Sequence, residues 1–133
     1  MTHLCPCHSS KAYKDCCEPF HTKKKLPQTA LDLMRSRYSA YSLNLASYII
    51  DTTHPLNSQY KINKIEWKKE IQNFSKLTTF KSLKIINFEE DQESAIVSFE
   101  ACLIEEQEEI TLREKSFFIK EKGKWLYRSF EWI

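Results

Sequence analysis

ITLREKSFFIKEKGKWLYRSFEWI, residues 110–133, alternates apolar and polar positions on either side of Gly123, the only glycine in a chain of 133 residues. The period of two and the β-branched and aromatic content predict strands over 110–121 and 124–133, joined by a tight hairpin at EKGK. Working outward, SAIVSFEACLIE (94–105) and the segment 79–89, which carries FKSLKIINF, repeat the pattern. Four strands in a row describe an antiparallel meander. Further upstream the period changes. From Thr29, a plausible cap, Ala30, Leu31, Met34, Tyr38, Tyr41 and Leu45 recur at helical spacing and predict a buried face. A short second helix is expected over 47–52, broken at His54-Pro55. A third over 63–76 places Ile65, Trp67, Ile71 and Phe74 inward, with charges outside. Helices followed by a meander make an α+β domain in which three helices cover one face of a curved antiparallel sheet.

Composition fits that reading. Hydrophobic residues are 41% and charged residues 29% of the chain, the balance of an ordinary globular protein. A net charge of +2 selects no particular partner. The start, MTHLCPCHSS, lacks the basic and apolar regions of a secretory signal, and no stretch approaches the roughly 18 apolar residues of a membrane span. The cytoplasm is therefore the expected location. The aromatics sit at core spacing, so nucleic-acid stacking is not the expected use. No Gly-x-Ser-x-Gly, phosphate-binding glycine loop or His-Glu-x-x-His occurs, and no residue is assigned a catalytic role.

CPCHSSKAYKDCC, residues 5–17, holds four of the five cysteines. In a reducing compartment such density favours a metal over disulfides. Cys5 and Cys7 in an extended segment point to one side. Cys16 and Cys17 follow KAYKD, which suits a helical turn or two with Ser9 or Ser10 as N-cap. Four thiolates would close a structural zinc site. A variant using His3, His8 or His21 in place of one cysteine, and a redox or metal-free cluster, are the alternatives. Cys102, in a strand pattern, reads as a small buried hydrophobe. Lys23, Lys24 and Lys25 with Leu26-Pro27 read as a solvated linker, dividing the chain into 1–25 and 26–133. Removing residues 1–25 is then expected to leave the core standing.

The C-x-C-x(8)-C-C spacing resembles the SEC-C motif, the zinc-binding element named for the C-terminus of the SecA translocase motor. The resemblance implies structural zinc on Cys5, Cys7, Cys16 and Cys17, and a protein partner for the element. His8-Ser9-Ser10 stand where the motif usually has Gly-Ser-Gly, so the turn must be built with strain. This motif, then MRSRYSAY (34–41), His54-Pro55, and Glu114, Ser116 and Phe118 on one strand together resemble the YchJ-like family of bacterial proteins. That family often carries a second SEC-C motif, which these 133 residues do not contain. The resemblance implies a cone-shaped domain similar to nuclear transport factor 2, and it brings no established reaction.

Cones of this kind often enclose a cavity. Arg35, Arg37, Tyr38, His54, Glu114 and Ser116 are the polar groups offered to it. Glu114 shares a strand face with Leu112, Ser116 and Phe118, so it turns inward, where a carboxylate is costly unless paired. The expected arrangement is a salt bridge to Arg35 or Arg37 completed by a tyrosine hydroxyl; the alternative is an acid or base acting on a bound substrate. His54 is expected to brace a loop. Two functions follow: an adaptor that docks a protein partner through the zinc element, or a small-molecule-binding or enzymatic cone whose zinc is purely structural. A closed core with Glu114 paired favours the first; an open cavity of several hundred cubic ångströms favours the second.

Overall fold

In the computed structural model, which describes residues 3–133, the chain opens with a 3-10 turn, Tyr13–Asp15, and one helical turn, α1 (Glu18–His21). Residues 1 and 2 of the 1–25 segment lie outside the described residues. Three helices follow, α2 (Ala30–Ser42), α3 (Ala46–Asp51) and α4 (Lys64–Leu77), and then four strands, β1 (Thr78–Glu90), β2 (Ser94–Glu105), β3 (Glu108–Glu121) and β4 (Lys124–Trp132). The strands pair antiparallel in the order β1-β2-β3-β4. The expected α+β arrangement is therefore present.

Local chemistry fixes the boundaries. Thr29 caps α2 by accepting from the Asp32 N–H at 3.1 Å, and the Ala30 N–H is met by the Glu90 carboxylate of β1 at 2.8 Å. Asn63 caps α4 in the same way through Glu66. Such caps satisfy donors that a helix leaves open at its start. Two-residue turns join β2 to β3 and β3 to β4. Lys122 and Gly123 both have positive φ, as the expected hairpin requires, and so do Glu106 and Gln107, where no glycine marks the turn. Asp91 closes the β1–β2 turn by accepting from the Glu93 and Ser94 N–H groups, each at 3.1 Å.

Register shifts between Phe80 and Ser82, between Ile85 and Asn87, and between Phe117 and Phe118 interrupt the ladders. Each bends its strand and adds twist, and together they curl the sheet into a half-cone. Leu33 and Met34 of α2 pack into its concave side against Val97, Phe118 and Trp125. A second cluster joins Ala40, Tyr48 and Ile49 to Trp67 and Ile71 of α4, with Phe20 of α1 packed against it.

Some expectations on the helices need correction. Ile65 is 73% exposed, because α4 turns Trp67, Ile71 and Ser75 to the body, with Phe74 at the margin. Leu45 lies beyond the end of α2 and starts α3 instead. The buried side of α2 is also less apolar than its spacing implies: Ser36, Arg37 and Ser39 are all buried.

The segment after the cysteines is not a loose hinge. The Lys24 and Lys25 N–H groups both donate to the Pro19 carbonyl, and Phe20 and His21 pack against the body.

Candidate functional site

Cys5 and Cys7 lie on a loop closed by an isolated bridge between Leu4 and Ala12, and Cys16 and Cys17 lie between the 3-10 turn and α1. The helical turn therefore begins after Ala12, and neither Ser9 nor Ser10 caps it. Instead the Ser9 hydroxyl lies 3.2 Å from the Cys16 sulfur.

All four sulfurs fall within 4.8 Å of one another, and all but the Cys16 residue are buried. Cys7 Sγ is 3.6 Å from Cys16 Sγ, which is 3.9 Å from Cys17 Sγ. Four sulfurs about 2.3 Å from a central ion would be about 3.8 Å apart at the corners of a tetrahedron. A disulfide needs about 2.05 Å, and all five cysteines are unpaired thiols. Hydrogen bonds from the Cys17 and Cys5 thiols hold Cys7 far below its ordinary range, while Cys5 and Cys17 are raised above theirs, so negative charge in the cluster falls on the Cys7 sulfur. The donor set fits a closed, thiophilic, tetrahedral metal site.

The histidines have other partners. His21 Nε2 donates to the Ser36 carbonyl at 2.8 Å, and Nδ1 accepts from the Tyr13 hydroxyl at 2.7 Å. Burial lowers the pKa of this ring, in keeping with a neutral imidazole that spends one nitrogen as donor and the other as acceptor. His8 Nε2 donates to the Phe80 carbonyl at 3.2 Å. Neither they nor His3 join the sulfur cluster.

The strain expected from the missing glycines is present. His8 has φ 62° and Ser10 φ 71°, the two positions at which the motif usually has glycine. Left-handed backbone costs a residue with a Cβ roughly 1–2 kcal/mol. Ser10 is exposed, so Ser10→Gly should stabilise the element by about 1 kcal/mol. A denaturant melt measures this; a destabilised variant would show that the Ser10 side chain has a role of its own.

The element is fastened to α2 and β1. Arg35 Nη1 donates to the Cys7 carbonyl at 3.0 Å, alongside the His21 and His8 bonds. Arg35 thus faces the cysteines and not the interior.

The opposite side of α2 lines a cavity of about 490 Å³ between the helices and the concave sheet. Its wall is largely aromatic and aliphatic, including Phe80, Phe99, Leu112 and Trp132. Of the six polar candidates, Arg37, Tyr38, Glu114 and Ser116 line it; Arg35 and His54 do not. His54 accepts from the Leu56 N–H through Nδ1 and meets Glu121 through Nε2, each at 3.0 Å, and so braces its loop as expected. Tyr127 and, at the mouth, the pair Lys61 and Glu70 were not singled out from the sequence, and Tyr41 was expected only as part of a buried helix face. The β4 alternation places Tyr127 on the same face as Trp125, which was a usable signal.

Glu114 turns inward as the strand period predicts, yet the expected salt bridge is absent. Its Oε2 accepts from the Ser116 hydroxyl and, at 3.1 Å, from the Tyr127 hydroxyl. Arg37 is committed to the end of α3, where Nη1 donates to the Ile49 carbonyl at 3.0 Å and to the Thr52 and Thr53 hydroxyls at 2.8 and 3.0 Å. Carbonyls at a helix C-terminus attract a cation. Burial raises the Glu114 carboxyl above its ordinary range, against the downward pull of Ser116, Tyr127 and the Arg37 charge.

The sign of the stability effect follows. A carboxyl raised on folding costs nothing below the ordinary carboxylate range and costs stability as pH rises through its folded value. Glu114→Gln should therefore be at least as stable as wild type at pH 7, with the two melts converging as pH falls through the ordinary range. A lower midpoint at pH 7 would restore the ion-pair interpretation.

Comparison with known proteins places this geometry in a family. A UPF0225 protein from Actinobacillus succinogenes is 40% identical over 129 residues, covering 96% of this chain and 80% of that protein. The solution structure of a SEC-C motif containing protein from Rhodopseudomonas palustris superposes with a TM-score of 0.84 at 28% identity, covering 98% of this chain and 99% of that one. A crystal structure of a SEC-C motif containing protein from Psychrobacter arcticus gives 0.77 at 27% identity, covering 95% and 80%. Residues 1–19 match the SEC-C motif. With residues 29–129 matching the model described as YchJ, middle NTF2-like domain, the chain belongs to the YchJ family, an NTF2-like domain preceded by a SEC-C motif.

Proposed function

We propose that this protein is a small-molecule-binding domain whose ligand occupies the cone, with a purely structural zinc ion held by Cys5, Cys7, Cys16 and Cys17. The observation that carries the reading is the open cavity of about 490 Å³, which brings Arg37, Glu114, Ser116 and Tyr127 together at an otherwise apolar wall. Pockets of roughly 300–1,000 Å³ with a few convergent polar groups are the usual form of a ligand site. A closed four-sulfur site leaves the metal no open position for a substrate, so its part is to hold the chain. The division into a 1–25 element and a 26–133 domain belongs to this reading, as does a cytoplasmic location, where the thiols stay reduced. No helix among the described residues is long and apolar enough to cross a membrane.

The test uses 1-anilinonaphthalene-8-sulfonate, an aromatic fluorescent probe that carries one sulfonate charge. Saturable enhancement is expected, with about one site per chain, and should be lost when Ala101→Phe fills the cavity from β2. Enhancement that is absent, or indifferent to Ala101→Phe in a folded variant, would sink the reading.

A second reading, an adaptor that docks a protein partner on the SEC-C element, is favoured by Leu4, which is 67% exposed beside Cys5. Its check is a pull-down from native extract with and without chelator. A partner retained only with metal, and lost in Leu4→Asp, would support it.

A further inference from the structure

Arg37 is only 7% exposed, yet every hydrogen bond it makes runs through Nη1 to neutral oxygens. Its guanidinium lies over the Tyr127 ring, 4.5 Å from the centroid. Nε and Nη2 have no acceptor among the described residues, and no carboxylate there forms an ion pair with it. Those two nitrogens make up one edge of a planar fork, the edge that matches the two oxygens of a carboxylate. The hydrogen bonds of Arg37 give its charge no contacting anion, and the Glu114 carboxylate acts on it only through space. Glu114 is incomplete in a complementary way. Both of its hydrogen bonds fall on Oε2, and Oε1 has no partner among the described residues.

Resting on the reading of the cone as a ligand cavity, we infer that its ligand is a small carboxylate with an aromatic or apolar body, anchored on the Nε–Nη2 edge of Arg37 with Glu114 beside it. The wall supports both halves of that description. Phe80, Phe99, Leu112, Phe130 and Trp132 suit a flat apolar body. One guanidinium compensates one negative charge, so a monoanion fits where a phosphate dianion would leave excess charge in an apolar cavity. Lys61 and Glu70 at the mouth pair with each other at 2.6 Å and add no net charge.

Proton linkage follows from the geometry. A ligand carboxylate on Arg37 brings a second carboxyl close to Glu114, and two such groups do not both stay ionised. Glu114 is faced by Ser116 from its own strand, Tyr127 from β4, and Arg37 and Tyr41 from α2. Of these only Arg37 carries a charge near neutrality, and the ligand engages it. Glu114 therefore takes up a proton as the ligand binds, and its Oε1 becomes a donor to the ligand.

The test titrates the 133-residue chain with 3-phenylpropionate, 3-phenylpropanamide and 2-phenylethylammonium, following tryptophan fluorescence, to which Trp67 and Trp132 of the cavity wall contribute. The carboxylate should bind about tenfold or more tightly than the amide, the advantage expected of a charged bidentate contact. Its affinity should rise as pH falls from about 8 to 6, a range in which the probe stays ionised, and Glu114→Gln should flatten that dependence. Arg37→Gln should erase the preference; if it fails to fold, the pH dependence and its loss in Glu114→Gln still decide. Equal binding of carboxylate and amide, or a pH dependence that persists in Glu114→Gln, overturns the carboxylate inference and leaves the cavity reading standing. Tightest binding of the ammonium overturns it in favour of Glu114 as an anionic anchor. Binding of none of the three overturns both.

Discussion

Cys17→Ser is expected to abolish the zinc binding proposed for the sulfur cluster, from about one ion per chain to near none. Cys17 is 1% exposed and at the centre of the sulfur cluster. A serine hydroxyl is a weak ligand for a thiophilic ion, and the three sulfurs left behind give an open site. Structural zinc sites of this kind supply an apparent 10–16 kcal/mol in small peptides, as much as the whole stability of many domains. With the metal gone, little holds the strained turn at His8 and Ser10 in place, so stability should fall by roughly as much as the element contributes to the fold. Metal analysis and a denaturant melt of the same sample check both parts. Unchanged zinc content would overturn the ligand assignment. Cys102→Ser serves as the control, because Cys102 lies on β2 opposite Thr111, outside the cluster, and its replacement should leave the zinc in place.

Deleting residues 1–25 should destabilise what remains by on the order of 5 kcal/mol, contrary to what the lysine-rich linker implies. The deletion removes the hydrogen bonds across the junction, among them those from Arg35 to Cys7, His21 to Ser36 and His8 to Phe80. Each is worth about 1 kcal/mol net. It also removes Phe20 from the cluster around Tyr48 and Ile49, worth a further 1.5–3 kcal/mol or so, and uncovers the edge of Tyr48 on which His21 stacks. A thermal or denaturant midpoint equal to that of the full chain would mean that residues 1–25 are a hinged appendage. The deletion and Cys17→Ser should agree in size, since the metal holds the loop and the loop covers α2.

Periodicity carried the strand region well, because a curled sheet buries one face of each strand and alternation is what that burial writes into a sequence. It put Leu112, Glu114, Ser116 and Phe118 on the cavity side, where they are. It could not assign the partners of Glu114, since a tyrosine on β4 and a helix end in α3 compete for the same few groups, and that competition is settled only in three dimensions. α2 was harder still. Ser36 and Ser39 look like solvent-facing positions, but they are small so that His21 and Tyr48 can approach, and the Ser36 hydroxyl meets the Tyr48 hydroxyl at 2.7 Å. The β2–β3 turn carries Glu106-Gln107 in a conformation that usually advertises itself with glycine or asparagine. The cysteines were legible as a set, because metal ligation needs residue type and spacing more than it needs environment.

Three of the hydrogen bonds that fasten the cysteine element to the body end on backbone carbonyls, those of Cys7, Ser36 and Phe80. Mutation can erase a side chain but leaves a carbonyl where the fold puts it. Each bond therefore has one half that substitution can remove and one half that it cannot. Arg35, His21 and His8 supply the half of this junction that substitution can remove, while Cys7, Ser36 and Phe80 opposite are held by other demands, the sulfur cluster, the Tyr48 hydroxyl and the cavity wall. Among divergent relatives, this seam should be tracked by three donor side chains, one reaching out from α2 and two reaching in from the cysteine element.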